Sequence, residues 1–473
     1  MNEILQSGLS GGQLALLFVC IFVALAFEFV NGFHDTANAV ATVIYTHTLR
    51  PWAAVILSGV CNFFGVFVGG IAVALGILKL LPTELLVSKG TGAGLAMVLA
   101  LLLGAIVWNV GTWYFGLPSS SSHTMIGAIL GVGIANSMMP GHTFGEGVNW
   151  TKAQEIGLSL LLSPAFGFGV SFLLLWTLRK TIKSEVLFRE PEKDAPPPGP
   201  IRALLLLTCS GVSFAHGSND GQKGVGLMML ILMGLAPAGF ALDANATKAQ
   251  IERTAQAAQT IETVVKGHEE QLAEKADKLE KVKKAEKKLG ELREKLTDVT
   301  SVAELPKDQR FPVRSAIIVA DKAVDEVVKA GLLSEEETKK VASERKALRS
   351  TTDYAPTWVL VAIACSLGIG TMIGWKRIVI TVGEKIGSTH MTYSQGAVAE
   401  LVGSTTIALS AWAGLPVSTT HVLSSGVAGT MVAQGSTLQK GTVSRIAMAW
   451  LLTLPASMLL SGLFFVVFRL LLV

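Results

Sequence analysis

Polar residues set deep in an apolar segment constrain a chain severely, and here they occur twice. The run Phe29-Val30-Asn31-Gly32-Phe33-His34-Asp35-Thr36-Ala37-Asn38-Ala39-Val40 lies within an otherwise apolar stretch from about Leu14 to Ile44. The pattern returns as Phe214-Ala215-His216-Gly217-Ser218-Asn219-Asp220-Gly221-Gln222-Lys223-Gly224-Val225, at an offset of roughly 185. In that register Phe29, Gly32, Asp35 and Val40 meet identical residues, and Asn38 meets Lys223. A carboxylate at bilayer depth costs several kcal/mol unless paired or solvated, so such residues mark ion or substrate paths. Two copies of one costly feature, in two halves of a chain, imply a repeat-built transporter.

The surroundings of these motifs set the class. Half of the 473 residues are hydrophobic, 16% are charged, and the mean hydropathy is +0.52. Several apolar runs exceed the ~20 residues a helix needs to cross a bilayer. The sequence therefore predicts an all-α polytopic membrane protein. A net charge of +4, scattered along the chain, argues against nucleic acid. Cys20, Cys61, Cys209 and Cys365 all fall in apolar segments without metal-ligand spacing and read as small packing residues. No Lys or Arg precedes Arg50, so the start reads as a first span rather than a signal peptide.

A second pair of motifs completes the repeat. Gly116-Leu117-Pro118-Ser119-Ser120-Ser121-Ser122-His123 and Gly414-Leu415-Pro416-Val417-Ser418-Thr419-Thr420-His421 match at an offset of roughly 298, each between apolar arms. Each reads as the tip of a helical hairpin. The two offsets differ by about 113, close to the length of a charged segment over residues 241–355. One duplication and one insertion explain both offsets. The predicted organisation is a first transmembrane repeat over 1–178, a basic linker over 179–202 and a second-repeat broken helix over 203–240. The charged insert over 241–355 and the rest of the second repeat over 356–473 follow. The insert alternates Lys and Glu around Leu279, Val282, Leu289, Leu292 and Leu296, but Glu286 and Arg293 take core positions. That pattern predicts a solvated helical hairpin or short bundle rather than a long coiled coil.

Basic residues in the linker and at Lys376, Arg377 and Lys385 place those segments on the cytoplasmic side. With three spans and one same-side hairpin per half, the halves are expected to be inverted, with the termini and the insert on the outer face.

A helix broken at membrane depth frees backbone groups, which are tolerated where they line a cavity. Helix N-termini suit anions, and Ser119 to Ser122 and Ser418 to Thr420 are N-cap residue types opening the return helices. Two such tips would offer amides and hydroxyls to a tetrahedral oxyanion. Asp35 and Asp220 supply negative charge that suits an anion site only if cations bind too, which points to cation-coupled anion symport. Lys223 is placed to neutralise Asp220 or to touch the anion. The glycines around Lys223 lack P-loop spacing and a following Ser or Thr. A Ser/His intramembrane hydrolase would not explain twinned motifs, and packing glue would not explain their duplication beside Asp35 and Asp220. His34 and His123 suit packing as well as proton carriage, and Glu28 and Glu400 are further carboxylates in apolar helices.

These four motifs together resemble the signatures of the inorganic phosphate transporter (Pit) family, most closely its bacterial low-affinity members, over nearly the whole chain. The resemblance implies a non-enzymatic carrier of inorganic phosphate in the cell inner membrane, with an inverted-repeat fold, commonly dimeric. It implies no bound cofactor. By position, Asp35, Asn38, Asn219 and Asp220 would serve the coupling cation. Ser121, Ser122, Thr419 and Thr420 would lie near phosphate, to which the reading of the residues themselves adds Ser120, Ser418 and Lys223. The bacterial branch implies proton coupling and carriage of neutral divalent metal–phosphate complexes. Sodium coupling is the alternative the family also offers.

Overall fold

Apolar runs with few breakers should fold as helices, and in a computed structural model of the chain all extended elements are helical. The structure describes all residues except 1–3, 5–7, 36, 72, 75–91, 142, 146, 147, 149, 193, 194, 268–275, 298, 300, 416 and 473. Among the described residues there is no strand, only an isolated bridge between Gly387 and Leu438.

The chain separates into two units. The larger comprises Leu16–Leu85, Gly90–Ile231 and Pro356–Val473. Its first motif lies at the end of α1 (Gly11–Asp35) and the start of α2 (Ala37–Tyr45). Pro51, whose missing N–H costs nothing at a helix start, opens α3 (Pro51–Val68). Then come α4 (Gly92–Tyr114), α5 (Ser121–Ser137), α6 (Trp150–Thr181) and α7 (Gly199–Leu235). The expected loop residues Lys79, Glu84 and Lys89 lie outside the described residues.

The sequence expectation of a second broken helix is corrected here: α7 runs unbroken through His216, Asn219, Asp220 and Lys223. The segment contains no proline, and these four polar residues sit at helical spacing. A continuous helix therefore carries them on one face without freeing any backbone group.

The smaller unit comprises Met1–Ala15, Leu86–Lys89 and Leu232–Ala355. Its helices α8 (Lys248–Lys266), α9 (Ala276–Leu296), α10 (Lys307–Lys329) and α11 (Glu335–Leu348) pack as a four-helix bundle. Ile261, Val282, Leu289, Leu292, Ile317, Val324 and Val341 are among its buried residues. Capping boxes at Thr247 and Ser334 open α8 and α11. The two ends of the insert are tied together. The Asp243 N–H donates to the Thr351 carbonyl at 2.9 Å, and buried Arg314 donates to the carbonyls of Ala241 (3.1 Å) and Thr352 (3.0 Å). Burial pulls the Arg314 guanidinium below its ordinary pKa.

The larger unit resumes with α12 (Thr357–Met372), α13 (Lys376–Glu384), α14 (Tyr393–Trp412), α15 (Thr419–Gln434) and α16 (Lys440–Leu472). Between α12 and α13 the axis bends by 62°. The segment marked by Lys376, Arg377 and Lys385 is the helix α13, which buries Ile378, Val379 and Val382. Five helices among the described residues are long and apolar enough to cross a membrane, or six if α12 and α13 form one bent span. One of them is the first arm of the first hairpin, Gly94–Tyr114. Phe22, Leu161, Leu207, Leu451 and Leu459 are left exposed on the outside, as a lipid-facing surface requires.

Elements of the two sequence halves pack on each other. The first hairpin's α5 lies against α16, the second hairpin's α15 against α6, and α3 against α12. Gly217 of α7 meets the backbone of Asn62 on α3 so closely that a β-carbon could not fit. Gly32 of α1 stands likewise against Leu367 and Thr371 of α12.

Candidate functional site

The G-L-P-x-S motifs prove to be a stop, a turn and a start. Gly116 and Gly414 adopt left-handed φ of 66° and 67° after the last turns of α4 and α14. The Gly116 N–H reaches the Trp113 carbonyl at 2.8 Å and that of Leu117 reaches Thr112 at 2.9 Å. Gly414 to Ala411 (3.1 Å) and Leu415 to Ser410 (2.9 Å) repeat the pattern, the double bond of a Schellman ending. Proline then bars continuation after the first arm; Pro416 lies outside the described residues. Ser120 and Ser418 restart the chain, their hydroxyls accepting from the amides of His123 (3.2 Å) and His421 (3.1 Å). The first-turn amides of α5 and α15 have no acceptor within their own helix, as at any helix start.

The two tips meet. The Ser122 hydroxyl donates to the Val417 carbonyl at 2.9 Å, and the rings of His123 and His421 stand 4.5 Å apart. Ser119 to Ser122 and Ser418 to Thr420 are buried.

Both motif helices run into this junction. Asp35 accepts from the hydroxyls of Ser121 on the first tip and Thr420 on the second, the latter at 3.0 Å. His34 lies 2.8 Å from Asp35 through Nδ1 and 3.1 Å from Thr112 through Nε2. Asn38 donates to Thr420 (3.3 Å) and to the Asp35 carbonyl (2.9 Å). On α7, Lys223 forms an ion pair with Asp220 at 2.7 Å and donates to Ser122 at 2.6 Å. Asn219 reaches the Leu415 carbonyl at 3.3 Å. Asp35, Asn38, Asn219, Asp220, Lys223 and the serines and threonines of both tips are thus in one buried cluster. The arrangement combines amide and hydroxyl donors suited to an oxyanion with two carboxylates and one ammonium.

The model of the phosphate transporter family matches residues 31–461. The chain belongs to the phosphate transporter family. It is 45% identical over 475 residues to the low-affinity inorganic phosphate transporter PitA of Escherichia coli strain K12, covering 94% of this chain and 95% of that one. It is 27% identical to a probable low-affinity inorganic phosphate transporter of Bacillus subtilis strain 168, covering 94% of each. A solved structure described as the sodium-dependent phosphate transporter shares the fold, with a TM-score of 0.56 at 20% identity. That likeness covers 97% of this chain and all of the other. Members of this family are transporters, so the hydrolase alternative falls.

Sequence reasoning passed over several polar residues of this family member. Asn31 Oδ1 lies 2.7 Å from the Ser121 hydroxyl and its amide donates to Glu28 at 3.4 Å, extending the cluster along α1. His216 lies 2.9 Å from Asn62 of α3, and its side chain is buried beside Asp220. Asn62 carried no signal beyond being a lone amide in an apolar span. Glu400 sits apart from the cluster, where Thr42 and Thr208 donate to its two oxygens, the latter at 2.5 Å.

Proposed function

We propose that this chain imports inorganic phosphate by proton symport across the cell inner membrane, and accepts it also as a neutral divalent metal–phosphate complex. The observation that carries this is the meeting of two helix N-termini beside Asp35, Asp220 and Lys223 in one buried cluster. Phosphate would be held by the amides and hydroxyls of Ser120, Ser121, Ser122, Ser418, Thr419 and Thr420, with Lys223 reaching it from α7. An ammonium has three donors; Asp220 and Ser122 engage two, leaving the third for phosphate. Asp35, Asn38, Asn219 and Asp220 would take the coupling cation. Protons are favoured over sodium because hydroxyl, imidazole and ammonium donors hold these carboxylates, whereas a hard cation wants a cage of oxygens.

The exchange of packing between the halves supports an inverted repeat that rocks around the hairpin tips. The family likeness supports a homodimer. The termini and insert are expected on the outer face, so a cysteine at Gly267 should react with an impermeant maleimide in intact cells. One at Gly199 should react only after permeabilisation, and the reverse pattern would invert the orientation.

The function is tested by radiolabelled phosphate uptake into proteoliposomes under imposed proton or sodium gradients, with and without magnesium. Concentrative uptake under a proton gradient is expected. Uptake driven by sodium alone would replace the coupling ion, and uptake indifferent to both would indicate a channel.

A further inference from the structure

We propose that Asp35, His216 and Asp220 form a binding site for a divalent metal of the zinc, cobalt or manganese type. The proposal rests on the phosphate reading above and gives the cationic part of a metal–phosphate cargo its ligands. Oxygen or nitrogen atoms of these three buried side chains lie within 4.8 Å of one another.

A relay of hydrogen bonds decides which nitrogen of His216 is free. The Thr371 hydroxyl donates back along α12 to the Leu367 carbonyl at 2.9 Å, and its oxygen accepts from the Asn62 amide nitrogen at 3.0 Å. The Asn62 carbonyl oxygen is thereby turned to His216 Nδ1, 2.9 Å away. A carbonyl oxygen only accepts, so Nδ1 carries the proton and a neutral imidazole keeps its lone pair on Nε2. Nε2 makes no hydrogen bond, in a residue 2% exposed. It faces Asp220 Oδ2 at 3.6 Å, with Asp35 in the same cluster. A lone pair turned toward two carboxylates away from water repels them, and a cation among the three removes that repulsion.

Lys223 does not fill the place, because its ammonium is engaged on Asp220 Oδ1 and Ser122. The donor set selects the ion: sodium, magnesium and calcium prefer all-oxygen shells, whereas imidazole with carboxylates suits zinc, cobalt and manganese. Ligand atoms on a tetrahedral ion with bonds of about 2.1 Å stand about 3.4 Å apart. The His216–Asp220 separation of 3.6 Å is already close to that. Two carboxylates neutralise a divalent ion, which leaves Lys223 and the hairpin amides to face phosphate. Asn62 acts here as a positioning residue that orients the imidazole, a partner that metal-binding histidines commonly have. The first motif has Asn31 where the second has His216, and its own imidazole, His34, has both ring nitrogens engaged, on Asp35 and Thr112.

The test is cobalt binding to the purified full chain in detergent, read by visible absorption, with radiolabelled phosphate binding measured on the same preparation. Wild type should bind a single cobalt ion with d–d bands. His216→Gln should weaken cobalt binding roughly 10- to 100-fold. His216→Cys should add a thiolate-to-cobalt charge-transfer band in the near ultraviolet that wild type, with its four native cysteines, lacks. Unchanged binding in His216→Gln, or cobalt bound by His216→Cys without that band, overturns the site. Wild type that binds phosphate but no cobalt overturns the metal site alone and leaves the phosphate reading standing. Wild type that binds cobalt through His216 but no phosphate upholds the metal site and overturns the phosphate reading.

Discussion

The two units of this protein use charge in opposite ways. The insert carries more than half of the chain's charged residues, in near balance, and pairs several of them at its surface. Lys339–Glu335 and Lys248–Glu252 are typical, at 3.1 and 3.7 Å with all four side chains exposed. Such pairs contribute about 0–1 kcal/mol, because water competes for both partners. The transmembrane unit has fewer charges and encloses those of the site: Asp35, Asp220 and Lys223 are all at most 2% exposed. Removing one partner of a buried pair costs about 3–5 kcal/mol, because the other charge is left stranded. Many charges in water thus decide solubility, while three charges away from it organise a site.

The sharpest way to break this contrast is to neutralise the buried carboxylates. Asp35→Asn and Asp220→Asn are each expected to abolish concentrative phosphate uptake in proteoliposomes, in protein that still inserts and elutes as a folded species. Wild-type uptake by either variant would mean the enclosed charge has no transport role.

Next in size is Lys223→Asn, which gives the second motif the residue of the first. Asp220 then loses its ammonium, while Asp35 in the first motif is held by His34, Ser121 and Thr420. The variant should melt several degrees lower in sodium-free buffer and recover when sodium is added, with choline as the control. A melting temperature blind to sodium would show that Lys223 is not standing in for a bound cation.

A smaller effect is expected from removing the exposed charge altogether. Because Asp243 and Thr351 are joined by a backbone hydrogen bond, the ends of the insert are already adjacent. Replacing residues 245–351 with a short Gly/Ser linker should leave phosphate uptake measurable. Its complete loss in well-inserted protein would make the insert a working part.

Smallest is a comparison inside the insert itself. Arg314→Met leaves the carbonyls of Ala241 and Thr352 without their buried donor and should cost about 1–3 kcal/mol in a denaturant titration. Lys339→Ala, on an exposed pair, should leave the midpoint unchanged. Equal effects would erase the distinction between the insert's core and its surface.

The site was unusually legible because its residues are expensive where they stand. Asp35 and Asp220 in apolar helices, and the doubled Gly-Leu-Pro with its serines, are choices that packing alone does not require. Asn31, Asn62 and His216 were harder to read. Each is a single polar residue whose use depends on a neighbour from another helix, and no local spacing announces that neighbour.

The sequence by itself determined the helical membrane class, the pairing of motifs, the charged insert and the residues of the hairpin tips. Hydropathy, glycine at a left-handed stop and serine at a helix start act over a few residues, so they can be read in one dimension. Tertiary structure decided that α7 passes through its motif unbroken and that Lys376 to Glu384 form a packed helix beyond a 62° bend. It also decided that Asn62 turns His216 toward two carboxylates. Those outcomes depend on which helices come close enough to touch, at glycines such as Gly32 and Gly217, and a hydrogen-bond partner some 150 residues away has no local signature.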